Sequence, residues 1–174
     1  MTKVHGILWF ARQQGHKERD VLKMSLYQFF ASDKVLKEYD NNAVYYDEKK
    51  DIIISSEHSI NASLRIIKED NLYYAKIYTK KTYCAYVEWY YSDKNARIIV
   101  EYIKEHLKEG AYSMELWNAW EYNDTDEKNK EISQTSKKEV HIKDLTIQHI
   151  KDIWGQSFYY HPACLKIFKT YKYN

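Results

Sequence analysis

Between about residues 43 and 91 the apolar residues switch from a helical spacing to a spacing of two, and most of the connections between the runs are very short. The runs fall at 43–47, 51–56, 62–68, 72–79 and 82–91. Asp47-Glu48-Lys49-Lys50, Glu69-Asp70-Asn71 and Lys80-Lys81 mark the tight turns. A parallel strand pair needs a crossover of a dozen residues or more, so connections this short permit only antiparallel neighbours. This restricts the fold more than any other feature: the middle of the chain reads as an antiparallel meander.

The flanking regions add helices. Gly6–Ala11 is a short apolar run read as a strand, and 12–16 as a loop. Residues 17–31 read as a helix on the apolar stripe Val21, Leu22, Met24, Tyr27, Phe29 and Phe30, with Asp33 capping one more turn through Tyr39. Residues 93–109 form the clearest helix. Asp93 stands at the N-cap and Gly110 at the C-terminal stop, with Ile99, Tyr102, Ile103, His106 and Leu107 on one face. A strand follows at 112–122. Residues 123–137 are polar and charged, with almost nothing to bury, and read as a flexible internal loop centred on 123–136. A strand at 138–143, a helix capped by Thr146 and running to about Gly155, and a strand at 163–171 after Pro162 complete the chain. Ile99, Tyr102, Ile103, Leu107, Val140, Ile142, Ile150, Trp154, Leu165 and Ile167 are the expected shared core.

The fold class is therefore α+β: a mainly antiparallel sheet with helices on one side. The second half runs strand, helix, strand, strand, helix, strand, the element order of a ferredoxin-like split βαβ unit. At 174 residues the length fits one domain, 1–174. No run of about 18 apolar residues is present, and the N-terminal apolar stretch is too short for a signal peptide, so a cytoplasmic protein without a membrane partner is expected.

Composition bears on function mainly by exclusion. With 27 basic and 25 acidic residues the net charge is +2, too balanced to imply a nucleic-acid or membrane partner by itself. The only arginines are Arg12, Arg19, Arg65 and Arg97, so the bidentate grip on phosphate and guanine is scarce. Four glycines leave little material for a phosphate-cradling loop. The 18 tyrosines stand out; Tyr and Trp are enriched in protein interfaces, although tyrosine also suits strand surfaces.

No motif assembles a catalytic site. Arg12-Gln13-Gln14-Gly15 resembles the acyl-CoA pyrophosphate loop of GNAT acetyltransferases, but Lys17 stands where that pattern has glycine or alanine. His149 and Asp152 share a helix face without a third metal ligand. His161 and Cys164 lie about 10 Å apart along a strand, beyond the reach of a thiolate–imidazole pair. The carboxylates of the 47–51 turn are where a hairpin places such residues anyway. No metal and no cofactor are expected.

One constellation carries a binding hypothesis. Alternation over 72–80 puts Tyr74, Lys76, Tyr78 and Lys80 on one face, beside Lys81 and, from the next strand, Tyr86 and Tyr90. Such a face, aromatic and basic at once, suits a protein partner or the stacked bases of a single strand. It equally suits lysine stems and tyrosine rings covering an exposed sheet. The leading expectation is a non-catalytic binding protein that occludes a partner's surface, like an inhibitor or a toxin-immunity protein of bacterial or phage origin. A single-stranded nucleic-acid binder comes second and a small enzyme third.

Overall fold

The computed structural model describes residues 25–41, 45–47, 52–54, 63–68, 75–121, 135–156 and 161–170. Its centre is a seven-stranded sheet, in spatial order β2-β5-β6-β1-β7-β9-β8. In chain order the strands are β1 (Ser25–Ser32), β2 (Tyr39–Asp40), β3 (Tyr45–Asp47), β4 (Ile52–Ile54), β5 (Leu64–Ile67), β6 (Tyr83–Trp89), β7 (Ser113–Glu121), β8 (Ser136–His141) and β9 (Ala163–Phe168). β3 and β4 pair separately as a two-stranded antiparallel ladder. Within the large sheet every pairing is antiparallel except β8 with β9. Two helices, α1 (Asp93–Lys108) and α2 (Ile147–Gln156), pack on the same face of the sheet.

The central strand is the main departure from expectation. Residues 25–31, read as helix on their apolar stripe, instead form β1 together with Ser32, paired with β6 on one side and β7 on the other. Both faces of this strand are covered. Phe30 points into the helix-covered core and Phe29 into a second core on the opposite face, and both are fully buried. A strand buried on both sides is apolar at consecutive positions, which hides its period of two. The expected extra turn through Tyr39 is absent: residues 33–38 are irregular and lead into β2. The expected strand at 72–79 is also absent where described, because Ala75–Ile77 is a 3-10 turn.

The second half follows the reading more closely. All ten expected core residues belong to the helix-side cluster or pack against it. The N-cap of α1 is Ser92 rather than Asp93; its side chain accepts the Asn95 N–H at 3.1 Å. Gly110 follows the helix with φ +112°, a conformation that favours glycine. Thr146 precedes α2 in a reciprocal arrangement: its carbonyl accepts the His149 N–H, and the His149 Nδ1 accepts the Thr146 N–H. The chain order β6-α1-β7-β8-α2-β9 repeats the ferredoxin-like succession. In space, however, β1 lies between β6 and β7, and β9 lies between β7 and β8, so the ferredoxin-like arrangement does not describe this sheet.

The opposite face is covered by the 3-10 turn and the residues that follow it. Ala75 and Tyr78 are buried against Phe29, Trp117, Ala119 and Cys164. Polar contacts fix the segment in place. The Glu115 carboxylate accepts both the Thr79 hydroxyl (2.6 Å) and the Trp117 indole N–H (2.8 Å). Lys76 Nζ donates to the carbonyls of Lys81 (3.0 Å) and Thr82 (2.8 Å).

Candidate functional site

These contacts break up the expected tyrosine–lysine face. Tyr78 is a core residue, its ring 5.6 Å from that of Trp117 and 6.3 Å from that of Phe29. Lys76 serves its own loop. Lys81 donates to Ser113 Oγ at 2.6 Å and lies 3.8 Å from the Asp33 carboxylate. Tyr86 is half-buried against Tyr27, Tyr90 is half-buried beyond the end of β6, and Lys80 is exposed. Tyr74 lies outside the described residues. The alternation failed as a guide because 75–79 is not a strand, so its residues do not sort into two faces.

What the fold brings together is at one end of the sheet, where β1 and α1 finish and β6 and β7 begin. Among the described residues the exposed large apolar side chains are Val35, Tyr83 and Tyr112. All three lie here. Tyr83 pairs with Ser32 across the β1–β6 ladder, and Ser32 pairs with Met114 across the β1–β7 ladder. Val35 follows β1 and Tyr112 precedes β7. The Tyr112 N–H points at the Asp33 carboxylate (3.4 Å), and its carbonyl accepts the Lys169 N–H (3.2 Å). The Tyr112 side chain, 77% exposed, is thus carried on backbone anchored on both sides.

Val35 is mounted just as firmly. Its neighbour Leu36 is 1% exposed in the core. The Lys34 N–H donates to Ser32 Oγ (3.1 Å), and the Tyr102 hydroxyl donates to the Lys37 carbonyl (2.7 Å). Lys34 and Lys37 both reach Glu109 at the end of α1, through its carbonyl and its carboxylate respectively. The Lys37 contact holds the Glu109 carboxyl below its usual range.

Beneath this loop lies a buried pair that has the look of chemistry. Ser32 Oγ stands 2.7 Å from His106 Nε2, and the His106 ring stacks parallel to Tyr102. Ser32 is 0% and His106 4% exposed, so no substrate reaches the hydroxyl. Burial lowers the His106 pKa, and Lys34 pushes it the same way. The imidazole is therefore held neutral as a core polar link between β1 and α1, and burial raises the Tyr102 hydroxyl well above its usual range.

The other candidate groups are structural as well. Cys164 is buried and its thiol pushed up by desolvation, which disfavours the nucleophilic thiolate; His161 is exposed. Desolvation also raises Cys84. His149 is engaged with Thr146, and Asp152 with Gln148 and Lys138, whose hydrogen bonds lower its pKa. Among the described residues no three His, Cys, Asp or Glu side chains converge as a metal site. The Arg12–Gly15 segment lies outside the described residues. Among them, no helix is long and apolar enough to cross a membrane.

Comparison of the chain with protein-family models, curated proteins and solved structures returned no match.

Proposed function

We propose that the protein is a non-catalytic binding protein that occludes a protein partner through the Val35–Tyr83–Tyr112 end of its sheet. The observation that carries this reading is the clustering of the exposed large apolar side chains of the described residues at one rigid end. Anchors held by core packing and backbone hydrogen bonds lose little conformational freedom on docking, which favours affinity. Buried tyrosine anchors ringed by polar groups are the usual energetic centre of such interfaces. The ring is at hand in Lys34, Lys37, Lys80 and Lys81. An inhibitor-like or immunity-like role is the form of this proposal that suits a small α+β chain in which Cys164 and His106 are buried and His149 is engaged with Thr146.

The test compares capture of cognate protein from the source cells by three forms of the tagged full chain. Val35→Ser/Tyr83→Ser/Tyr112→Ser should lose the wild-type partner. A variant on the edge strand β8, away from this end, Lys137→Ala/Lys138→Ala, should retain it. Retention by the first and loss by the second would overturn the assignment.

A further inference from the structure

Adjoining Tyr112, an open cleft of about 550 Å³ is lined by Lys104 and Lys108 of α1, His141, Ile142 and Lys143 at the end of β8, and Lys169 and Thr170 after β9. Four lysines from three stretches far apart in sequence thus line one cleft. Lys104 is paired with Glu101 at 3.3 Å. Lys108, Lys143 and Lys169 have no ion-pair partner among the described residues. The acidic groups on α1, on β8 and in the turn after it are Asp93, Glu101, Glu105, Glu109, Glu139 and Asp144; Glu109 is already held by Lys37 and Glu139 by Lys166. Lysines gathered with fewer ion pairs than charges raise the local positive potential and draw in an anion. The C-terminal carbonyls of α1 attract a cation and account for Lys108, but not for Lys143 and Lys169, which come from other elements.

We propose that this cleft receives a carboxylate-rich segment of the protein partner that docks on Val35, Tyr83 and Tyr112; the inference rests on that docking reading. Three features favour carboxylates on a peptide over phosphates on a nucleic acid. The cations are all lysine, without the guanidinium fork that grips phosphate. The lining offers no free aromatic platform for a base: the His141 ring is its one ring, packed edge-on against Phe168, with Nε2 on the Lys169 carbonyl (2.9 Å) and Nδ1 accepting the Lys143 N–H (3.3 Å). The walls between the charges are lysine stems and Ile142, which suit the methylenes and short apolar side chains of an acidic peptide. The cleft is open to solvent along its length, which leaves room for a short extended segment. Continuity with the docking end is direct, since the Lys169 N–H donates to the Tyr112 carbonyl.

The experiment uses the full chain and a fluorescein-labelled peptide of Asp and Glu interrupted by two leucines, followed by anisotropy. Saturable binding at low salt that weakens toward about 0.15 M is expected. Lys108→Glu/Lys143→Glu/Lys169→Glu should weaken it about tenfold or more. Lys94→Glu/Lys151→Glu, on the helices but outside the cleft, should leave it unchanged. The milder Lys108→Gln/Lys143→Gln/Lys169→Gln serves as a second set, with circular dichroism confirming the fold, and should also weaken binding. No binding at low salt, or binding indifferent to both cleft variants, would overturn the inference. So would displacement of the peptide by oligothymidylate or tripolyphosphate at lower concentration than by unlabelled peptide. Because the peptide reads only the cleft, its failure alongside end-dependent capture would remove this inference and leave the docking surface standing.

Discussion

Replacing His106 by Gln should abolish a specific part of the protein's pH dependence of stability. The imidazole is 4% exposed, stacked on Tyr102, and hydrogen-bonded to a serine that is itself fully buried. Burial, reinforced by Lys34, lowers its pKa in the folded state, whereas in the unfolded chain it titrates near its ordinary value of about 6.5. Between the lowered folded value and about 6.5 the unfolded chain therefore binds more protons. Stability should be at its full value above about pH 6.5 and should fall as the pH drops through that window toward the folded pKa. One proton gives a slope of at most about 1.4 kcal/mol per pH unit. The lowered carboxyls of Glu109 and Asp152 act in the same direction, but only in the acidic range below the ordinary carboxylate pKa. Glutamine keeps a polar group for Ser32 and carries no proton to gain, so His106→Gln should flatten the slope. His106→Leu should also flatten it, and in addition cost about 1–3 kcal/mol at neutral pH by leaving the Ser32 hydroxyl without its ring partner. Urea unfolding followed by tryptophan fluorescence at several pH values between 5 and 7.5, on the order of the window above, reads both effects. An undiminished slope in His106→Gln would refute the reasoning, because the titrating group would then lie elsewhere.

Other expectations follow from single contacts. Ile103 is fully buried between α1 and the sheet, so Ile103→Ala should cost about 2–5 kcal/mol in the same unfolding assay. Ser92→Ala should cost about 1 kcal/mol, and Asp93→Asn much less, since the Ser92 side chain holds the cap. Gly110→Ala should destabilise by about 1 kcal/mol or more despite open space at its Cβ, because φ is +112° there. At mildly alkaline pH a thiol reagent should leave Cys164 unmodified in the folded protein and label it after denaturation.

The parts of the fold most legible from residues are those whose core positions recur at one clear period. In α1, Ile99, Ile103 and Leu107 line one helical stripe beside a charged one, and Val140, Leu165 and Ile167 recur at every second position. Two dry faces hide the period of a strand without always hiding the strand, since β7, with Leu116 in one core and Trp117 in the other, was still read as one. In β1, Phe29 and Phe30 serve different cores, and their adjacency mimics a helix. In 75–79, tyrosine and lysine alternate in a segment that turns, so Tyr78 goes into the core and Lys76 onto its own backbone. The proposed docking end was hidden for another reason. Val35, Tyr83 and Tyr112 stand in three separate contexts, each unexceptional alone. Only the β1–β6 and β1–β7 registers bring them together. The cleft lysines are likewise dispersed from Lys104 to Lys169, and no local charge run announces them.

The most direct test of the docking surface is amide hydrogen exchange on the protein alone and with its captured partner bound. The account predicts slowed exchange at 33–37, 82–84 and 111–113, with 85–88 in mid-strand and the exposed edge of β8 at 136–139 unchanged. Protection confined to β8, or to the half-buried Tyr86 region of β6, with the Val35–Tyr83–Tyr112 end unaltered, would contradict it.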